Sequence, residues 1–510
     1  MWRKRKRKRM KAAEHRFVSR FTTEDLSISR KAHTNLDLLT SNYLENTDDY
    51  ISFLLNEKVG IVYIETIVDD RKVSRILDTL RNNADQGVAG LSFDYKTETN
   101  LKNIVQELTS GRLAIFVDQS SEAFIIDIQK RKERALEEPT AEASIKGPRL
   151  GFNESLKTNI SLIRSRIFHH QLKVEKRQLG NISKTETALL YLEGVANNQI
   201  VKEVRKRLSR IEVDAVHSSH QLQAFIKDHS YSIVPLIGST ERPDKIAANI
   251  MEGKVAILVD GTPFVLYGPI NIFSLLQAPD DYYDSMYLAT LLRIIRIAAL
   301  FVSLLLPATY IALTTFHHEM IPTDLALSIA AGRETIPFPA LIETLFIEIT
   351  FEFLREAGLR LPKAIGNTIS IVGALVIGDA AVRAGFVSPL VIIIVSVTAI
   401  SSFIIPNYSL GVSFRVLRFL FIFLAATFGF FGIVWGLLTL YLYLVSLRSF
   451  GYPYMAPHAP FIPAELRDTV FRFPLFKQND LPAFIADRPA LKKFRGKKNP
   501  GQKTEEEDRT

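Results

Sequence analysis

Hydrophobic and polar residues are distributed differently in the two parts of this chain. Residues 1–285 alternate short apolar runs with polar segments, which is typical of an α/β fold in water. Residues 286–448 contain apolar blocks long enough to cross a bilayer, since a membrane helix needs about 20 such residues. The pattern predicts a soluble α/β N-terminal half made of duplicated small subdomains, followed by an all-α polytopic membrane domain.

The duplication is predicted from a pattern of strands and helices that occurs twice. The first copy has β-branched runs at 59–68, 113–118 and 123–128, with helical periodicity at 69–80 and 101–109. The segment LTSGRLAIFVDQSSEAFIIDI resembles the later IMEGKVAILVDGTPFVLYGP. The two copies align in four pairs: Tyr63 with Tyr191, Glu65 with Glu193, Gly111 with Gly253, and Asp118 with Asp260. We therefore predict two strand–helix–helix–strand–strand units.

These patterns divide the chain into five parts. They are a basic disordered arm (1–35), α/β subdomain 1 (36–145), a linker helix with α/β subdomain 2 (146–285), a membrane domain of four to six helical segments (286–448), and an extended, disordered cytoplasmic tail (449–510). In the linker, Asn153 can cap a helix that begins near residue 154. The linker also carries Arg149, Arg164 and Arg166, which could bind an anion or form ion pairs between subdomains or subunits.

The segment PFPALIETLFIEITFEFLREAG, beginning at Pro337, combines apolar residues with carboxylates. At 100° per residue, Glu348, Glu352 and Glu356 share a stripe about 80° wide. An ionised side chain at the centre of a membrane helix costs roughly 2.5–3.5 kcal/mol, so it persists where it faces protein or water. The helix either lines a water-filled path or lies in the membrane interface with solvated carboxylates. Arg355 and Arg360 are spaced to pair with Glu352 and Glu356.

The next helix, within 366–385, is rich in Gly, Ala and Ser, which permit close helix contact and favour a packed assembly. Together the two helices provide the candidate site residues. The pore-lining candidates are Glu348, Glu352, Glu356, Glu343 and Asp379. The candidates for gating or packing are Arg355, Arg360, Arg383, Gly373 and Gly378.

The predicted spans are 297–316, 337–356, 367–386, 390–405 and 419–447. Arg293 and Arg296 precede the first span, Arg415 and Arg418 precede the last, and the tail is basic. The positive-inside rule places both chain ends in the cytoplasm, which requires an even number of crossings. Either the acidic helix does not fully cross, or the last apolar block turns back on itself.

The residue types present and absent in the chain exclude several classes of function. The chain has no Cys, so disulfides and thiolate metal sites are excluded. It has no Walker loop and no Gly-rich dinucleotide turn after a strand, and we expect neither catalysis, nor a cofactor, nor a metal site. Eight of the first eleven residues are basic. With a membrane half present, this arm is predicted to bind anionic lipid rather than nucleic acid, or to be a solvated tail.

Several stretches taken together resemble one known family. They include GPRLGFNESLKTNISLIRSRI, TERPDKIAANIMEGKVAILVDGTPFVLYGP, APDDYY, FHHEMIPTDLALSI, the acidic-helix region, and FRVLRF at 414–419. In this order, over about residues 100–475, the chain is similar to the A subunits of spore germinant receptors of the GerA type.

The resemblance implies a protein of the inner membrane of the dormant spore. Such A subunits act with a transporter-like B subunit and a lipoprotein C subunit. They are similar to oligomeric, pentameric rings that release monovalent cations through a gated channel. A closely similar family member acts later in germination with another partner, and a non-conducting scaffold or signal-relay subunit is the further alternative.

Overall fold

The computed structural model describes residues 27–82, 93–130, 139, 142, 146–360, 378–463, 465–473 and 485–486. Along these residues an α/β half precedes an all-helical half, which confirms the predicted fold class. Residues 1–26, which form most of the predicted basic arm, lie outside the described residues, as does Gly373.

Subdomain 1 is a five-stranded antiparallel sheet in the order β1-β2-β4-β5-β3. Helix α2 packs Val73, Ile76 and Leu80 on one face, whereas α1 and α3 cover the other. Both faces are therefore buried. The elements are α1 (Ala32–Leu39), β1 (Tyr50–Leu55), β2 (Val59–Ile64), α2 (Asp70–Asn82), β3 (Tyr95–Glu98), α3 (Leu101–Thr109), β4 (Arg112–Val117) and β5 (Ala123–Asp127).

Subdomain 2 repeats this sheet in the order β6-β7-β9-β10-β8, which matches subdomain 1 position by position. The predicted duplication is therefore confirmed. Its elements are α4 (Leu156–Arg164), β6 (Leu172–Leu179), β7 (Thr185–Leu192), α5 (Asn198–Leu208), α6 (Ser219–Ile226), β8 (Gly238–Thr240), α7 (Pro243–Met251), β9 (Val255–Val259) and β10 (Val265–Gly268), and the short α8 (Ile272–Leu276) follows.

Matched aspartates show how far the repeat extends. The Asp118 carboxylate accepts a 2.7 Å hydrogen bond from the main-chain N–H of Ala32, the first residue of α1. The Asp260 carboxylate accepts a 2.9 Å bond from Leu156, the first residue of α4. Each repeat thus includes the helix before its sheet. Helix α1 begins inside the segment predicted as a disordered arm, so the folded unit reaches further towards the N-terminus than expected.

The linker helix α4 joins the two subdomains. Its cap is Ser155, and Asn153, which was predicted to cap it, instead exchanges main-chain hydrogen bonds with the side chain of Asn159. Arg164 binds Asp49 of subdomain 1 through two hydrogen bonds of 2.8 and 2.7 Å, and both side chains are buried. The predicted ion pair between subdomains is therefore confirmed for Arg164.

The helical half consists of α9 (Met286–Thr315), α10 (Thr323–Arg333), α11 (Ala340–Arg360), α12 (Pro389–Phe403) and α13 (Tyr408–Ser446). Two of these, α9 and α13, are long and apolar enough to cross a membrane by length and composition. The other predicted spans correspond to α11 and to α12, whereas most of the one at 367–386 lies outside the described residues.

Helix α13 is two antiparallel arms. Gly429 has φ 60° and ψ −141°, which interrupts the helix. A Cβ on Gly432 would lie against the main-chain oxygen of Leu424, and one on Gly436 would lie 3.0 Å from the Phe421 ring. The second arm (430–446) therefore folds back along the first arm (408–428). The last apolar block turns back on itself, which is one of the two alternatives that the sequence left open.

The chain after α13 is folded where the structure describes it. Strands β11 (Arg448–Ser449) and β12 (Tyr452–Pro453) pair, and Tyr454 is fully buried. Residues 449–463 and 465–473 therefore differ from the predicted extended, disordered tail, because Phe450 packs into the core of subdomain 2 and Tyr454 into the core that subdomain 2 shares with the helical half.

Candidate functional site: the acidic helix and its arginine partners

The carboxylates of the acidic helix α11 point in different directions. Glu343 and Glu348 are 1% and 0% exposed, so they are enclosed by the chain's own helices. The opposite side of α11 exposes four large apolar residues, Ile342, Phe346, Ile349 and Phe353. This differs from an interfacial helix with solvated carboxylates, because here the charged side is the buried one.

Glu348 is held by an arginine from the first arm of α13. The Arg418 Nη1 donates to Glu348 Oε2 at 2.6 Å, and both side chains are buried. The Arg418 Nε donates to the main-chain oxygen of Ser303 in α9 at 2.8 Å. This one guanidinium therefore links three helices. Burying such a pair is costly, and removing one partner leaves an uncompensated charge.

Glu352 has a second arginine partner one turn further along. The Arg415 Nη1 donates to Glu352 Oε2 at 3.0 Å. The predicted partner Arg355 lies instead over the ring of Phe403, with its guanidinium carbon 4.9 Å from the centroid. The prediction of a Glu352–Arg355 pair was wrong, since Arg415 reaches the carboxylate from a facing helix.

The outer end of the stripe is open. Glu356 pairs with Arg360 four residues later at 2.6 Å, which confirms that predicted pair. The side chains are 59% and 79% exposed, so the pair contributes little to stability. Along the stripe, exposure rises from Glu348 to Glu352 to Glu356.

The remaining predicted residues lie away from this stripe. Glu343 accepts the main-chain N–H of Ser388, which caps α12, and lies 3.7 Å from Arg333. Asp379 and Arg383 form an exposed pair at 2.9 Å. Gly378 has Ile392 as its nearest neighbour, 3.9 Å from where a Cβ would stand. The structure therefore joins Glu348 and Glu352 in one cluster, places Arg355 close to Glu352 and Arg415, and leaves Glu343, Asp379, Arg383 and Gly378 apart from it.

The Glu348–Arg418 and Glu352–Arg415 pairs retain polar atoms that make no hydrogen bond within the described part of the chain. Glu348 Oε1, Glu352 Oε1, Arg415 Nε and Arg418 Nη2 are buried and have no hydrogen-bond partner among the described residues. Buried polar groups of this kind are costly unless water or an ion satisfies them. Each carboxylate of the cluster therefore keeps one oxygen that its arginine does not bind.

From the sequence, Arg415 and Arg418 are predicted only as basic residues before an apolar block. Their spacing also indicates that they could pair with Glu348 and Glu352. Two arginines three residues apart lie on one face of a helix, as do two glutamates four residues apart, so both ion pairs can form at once between two facing helices. Sequence alone cannot show which helices face each other.

A second ionic network lies where the two halves join. Asp281 is buried and accepts hydrogen bonds from Arg293 at 3.1 Å and from Arg296 at 2.7 Å. Arg293 also binds Asp468 at 2.9 Å. Burial raises the pKa of Asp468, and the nearby Arg293 opposes that shift. This network fastens the base of α9 to the linker before it and to the chain after α13.

Within the described residues, no three His, Asp or Glu side chains are grouped in a way that could hold a metal ion. The site is therefore built from ion pairs on apolar helices. Two helices long and apolar enough to cross a membrane follow a duplicated α/β half, and this combination suggests a membrane protein.

The family follows from comparison with known sequences. The chain belongs to the Bacillus/Clostridium GerA spore germination protein family, whose sequence model matches residues 32–484. It is thus a subunit of a spore germination receptor.

Several relatives come from Bacillus subtilis (strain 168). Spore germination protein KA is 42% identical over 84% of this chain and 81% of that protein. Spore germination protein A1 is 39% identical over 89% of this chain and 96% of that protein. The crystal structure of the N-terminal domain of the A subunit of the Bacillus megaterium spore germinant receptor GerK3 aligns at 29% identity, covering 48% of this chain and 96% of that one, with a TM-score of 0.36.

Proposed function

We propose that this chain is the A subunit of a nutrient germinant receptor in the spore inner membrane. Several copies assemble into a pentameric ring that encloses a gated path for monovalent cations. The B subunit, which is transporter-like, and the lipoprotein C subunit are its partners. The basic arm binds anionic lipid on the spore-core side, where the α/β half and the C-terminal tail also lie.

The directions of the helices support this topology. Helix α9 leads away from the α/β half, because its base binds Asp281 and its far end, at Phe316, lies beside Gly429. The two arms of α13 both start or end near subdomain 2, since Ser413 donates to the main-chain oxygen of Ile233, and Tyr443 contacts the same loop. These directions support an even number of crossings, with both ends of the chain on one side.

The graded exposure of the stripe on α11 is the observation that carries the channel proposal. Glu356 is open, Glu352 is partly enclosed, and Glu348 is sealed against Arg418. Carboxylates on a path concentrate cations and reject anions. In the closed channel, Arg415 and Arg418 neutralise the carboxylates of Glu352 and Glu348. When the channel opens, hydrated cations replace these two arginines.

The experiment is potassium flux from liposomes that carry the chain with its partner subunits. We expect Glu356→Gln to lower the preference for cations over anions by about tenfold, because it removes the open carboxylate and leaves Arg360. Arg360→Gln should change the preference in the opposite direction. Glu212→Gln, at an exposed site in the α/β half, is the control.

A non-conducting scaffold is the second candidate. It is favoured by the same ion pairs, because Glu348 and Glu352 already have structural partners within the chain. If no combination of subunits gives a potassium flux, although the protein is folded and assembled, the scaffold is established. Flux that needs no B or C subunit would instead favour the closely similar later-acting channel.

A further inference from the structure

Each subdomain has a groove beside the turn that follows its second strand, β2 in subdomain 1 and β7 in subdomain 2. The two subdomains differ in the segment that fills this groove. In subdomain 1 the chain continues past β5 and fills this groove. The main-chain N–H of Asp69 donates to the oxygen of Ile128 at 2.9 Å, and Val68 forms an antiparallel bridge with Gln129. The strand extension therefore satisfies the main chain at the start of α2.

In subdomain 2 the equivalent strand cannot do this. Strand β10 pairs with β9 as far as Gly268, opposite Val255. The next residue is Pro269, which has no N–H to donate. The N–H of Ile270 then donates to the hydroxyl of Ser449 at 3.0 Å, so the chain turns away from the groove.

The C-terminal segment occupies the groove instead. The main-chain N–H of Asn197, which is equivalent to Asp69 in the repeat, donates to the oxygen of Ile485 at 3.1 Å. Ala196 forms an antiparallel bridge with Ala486. Ile485 and Ala486 are only 3% and 2% exposed. A distant part of the chain thus makes the contacts that Ile128 and Gln129, just after β5, make in subdomain 1.

The floor of the groove is a glycine in both copies. Gly253 has φ +94°, and a Cβ there would stand 3.3 Å from the Cα of Ala486. Gly111 has φ +86°, and a Cβ there would stand 3.2 Å from the Cβ of Gln129. The missing side chain therefore leaves room for an extended segment to pass closely.

We propose that this groove of subdomain 2, formed by residues 195–197 and Gly253, is a docking site for an extended peptide, and that its occupant is the chain's own C-terminal segment at Ile485–Ala486. The main-chain hydrogen bond provides affinity, and the buried Ile485 and the small Ala486 provide specificity. Asp468, earlier in the chain after α13, binds Arg293 at the base of α9, so docking of Ile485–Ala486 adds a second link between that part of the chain and the folded protein, this time to subdomain 2. This inference does not depend on channel activity.

The test uses the full-length chain and a fluorescent peptide that covers residues 478–490. The variant Ile485→Asp should empty the groove and bind the peptide. The wild type, whose groove is filled, should bind the peptide at least about tenfold more weakly. A peptide that carries Ile485→Asp should bind neither chain. Ile182→Asp, the same change at a site that is 77% exposed, is the matched control and should behave as the wild type.

Two results would overturn the proposal. One is a folded Ile485→Asp chain that does not bind the peptide, and the other is equal binding by all three chains. If the variant does not fold, hydrogen exchange of the wild type decides the question. Docking requires that the amide of Asn197 be protected about as strongly as that of Asp69, and rapid exchange at Asn197 alone would contradict it.

Discussion

At the residue scale, the buried carboxylate of Glu348 has one cationic partner, the guanidinium of Arg418. Replacing Arg418 by Gln leaves this buried carboxylate without its cationic partner. We expect the free energy of unfolding to fall by about 3–5 kcal/mol. The double variant Arg418→Met with Glu348→Leu removes both charges and should recover most of the loss, since apolar pairs of similar size often replace buried ion pairs. Denaturant unfolding in detergent micelles measures both.

The exposed pair provides the control for this experiment. Arg360→Gln breaks the contact with Glu356, where water screens both charges. Its expected cost is within about 1 kcal/mol. Equal losses for Arg360→Gln and Arg418→Gln would show that Glu348 is not held in a dry ion pair.

These contacts also show what the sequence could predict at this scale. The pair formed by Glu356 and Arg360 follows from helical spacing alone, because both residues lie on one helix. The partners of Glu348 and Glu352 come from another helix, so no local periodicity identifies them. The inter-subdomain pair of Arg164 was predictable in kind, but its partner Asp49 was not.

At the element scale, the fold of α13 depends on Gly429. Its positive φ is unfavourable for other residues, and a Cβ would stand 2.7 Å from the ring of His317. Gly429→Ala should therefore lower the free energy of unfolding by about 1–3 kcal/mol. Gly332→Ala is the matched control, since no atom lies within 4 Å of its Cβ position and its φ is not positive.

Gly332→Ala should be neutral or slightly stabilising, because alanine restricts the unfolded chain and favours helix. Thermal unfolding in detergent distinguishes the two variants. If both glycines tolerate alanine equally, the turn between the two arms does not need the positive φ of Gly429.

The strands show a similar limit of prediction. Within the two five-stranded sheets, the strands that the sequence did not predict, β1, β3, β6 and β8, all lie at sheet edges. Three of them are short or carry polar side chains, as in β3 with the sequence YKTE, and so lack a continuous apolar run, whereas β1 is apolar and this reason does not apply to it. The central strands were predicted because burial on both faces makes them apolar.

At the scale of the whole molecule, the two halves are joined at several separate points. Asp281 and Asp468 hold the base of α9, and Ser413 and Tyr443 hold the arms of α13 to the loop at 232–233. A movement of the α/β half is therefore transmitted to several helices together. The path of transmission depends on tertiary contacts that only the structure shows.

The proposed topology makes the last prediction. Since the chain has no native Cys, single cysteines report position without background. Ser121→Cys lies exposed in subdomain 1, Ser446→Cys ends the second arm, and Ser328→Cys lies in α10 beyond the far end of α9. In sealed vesicles, a membrane-impermeant maleimide should label positions 121 and 446 from one side and position 328 from the other. Labelling of positions 446 and 328 from the same side would mean that the second arm of α13 does not return across the bilayer. The number of crossings would then be odd, which contradicts the proposed topology.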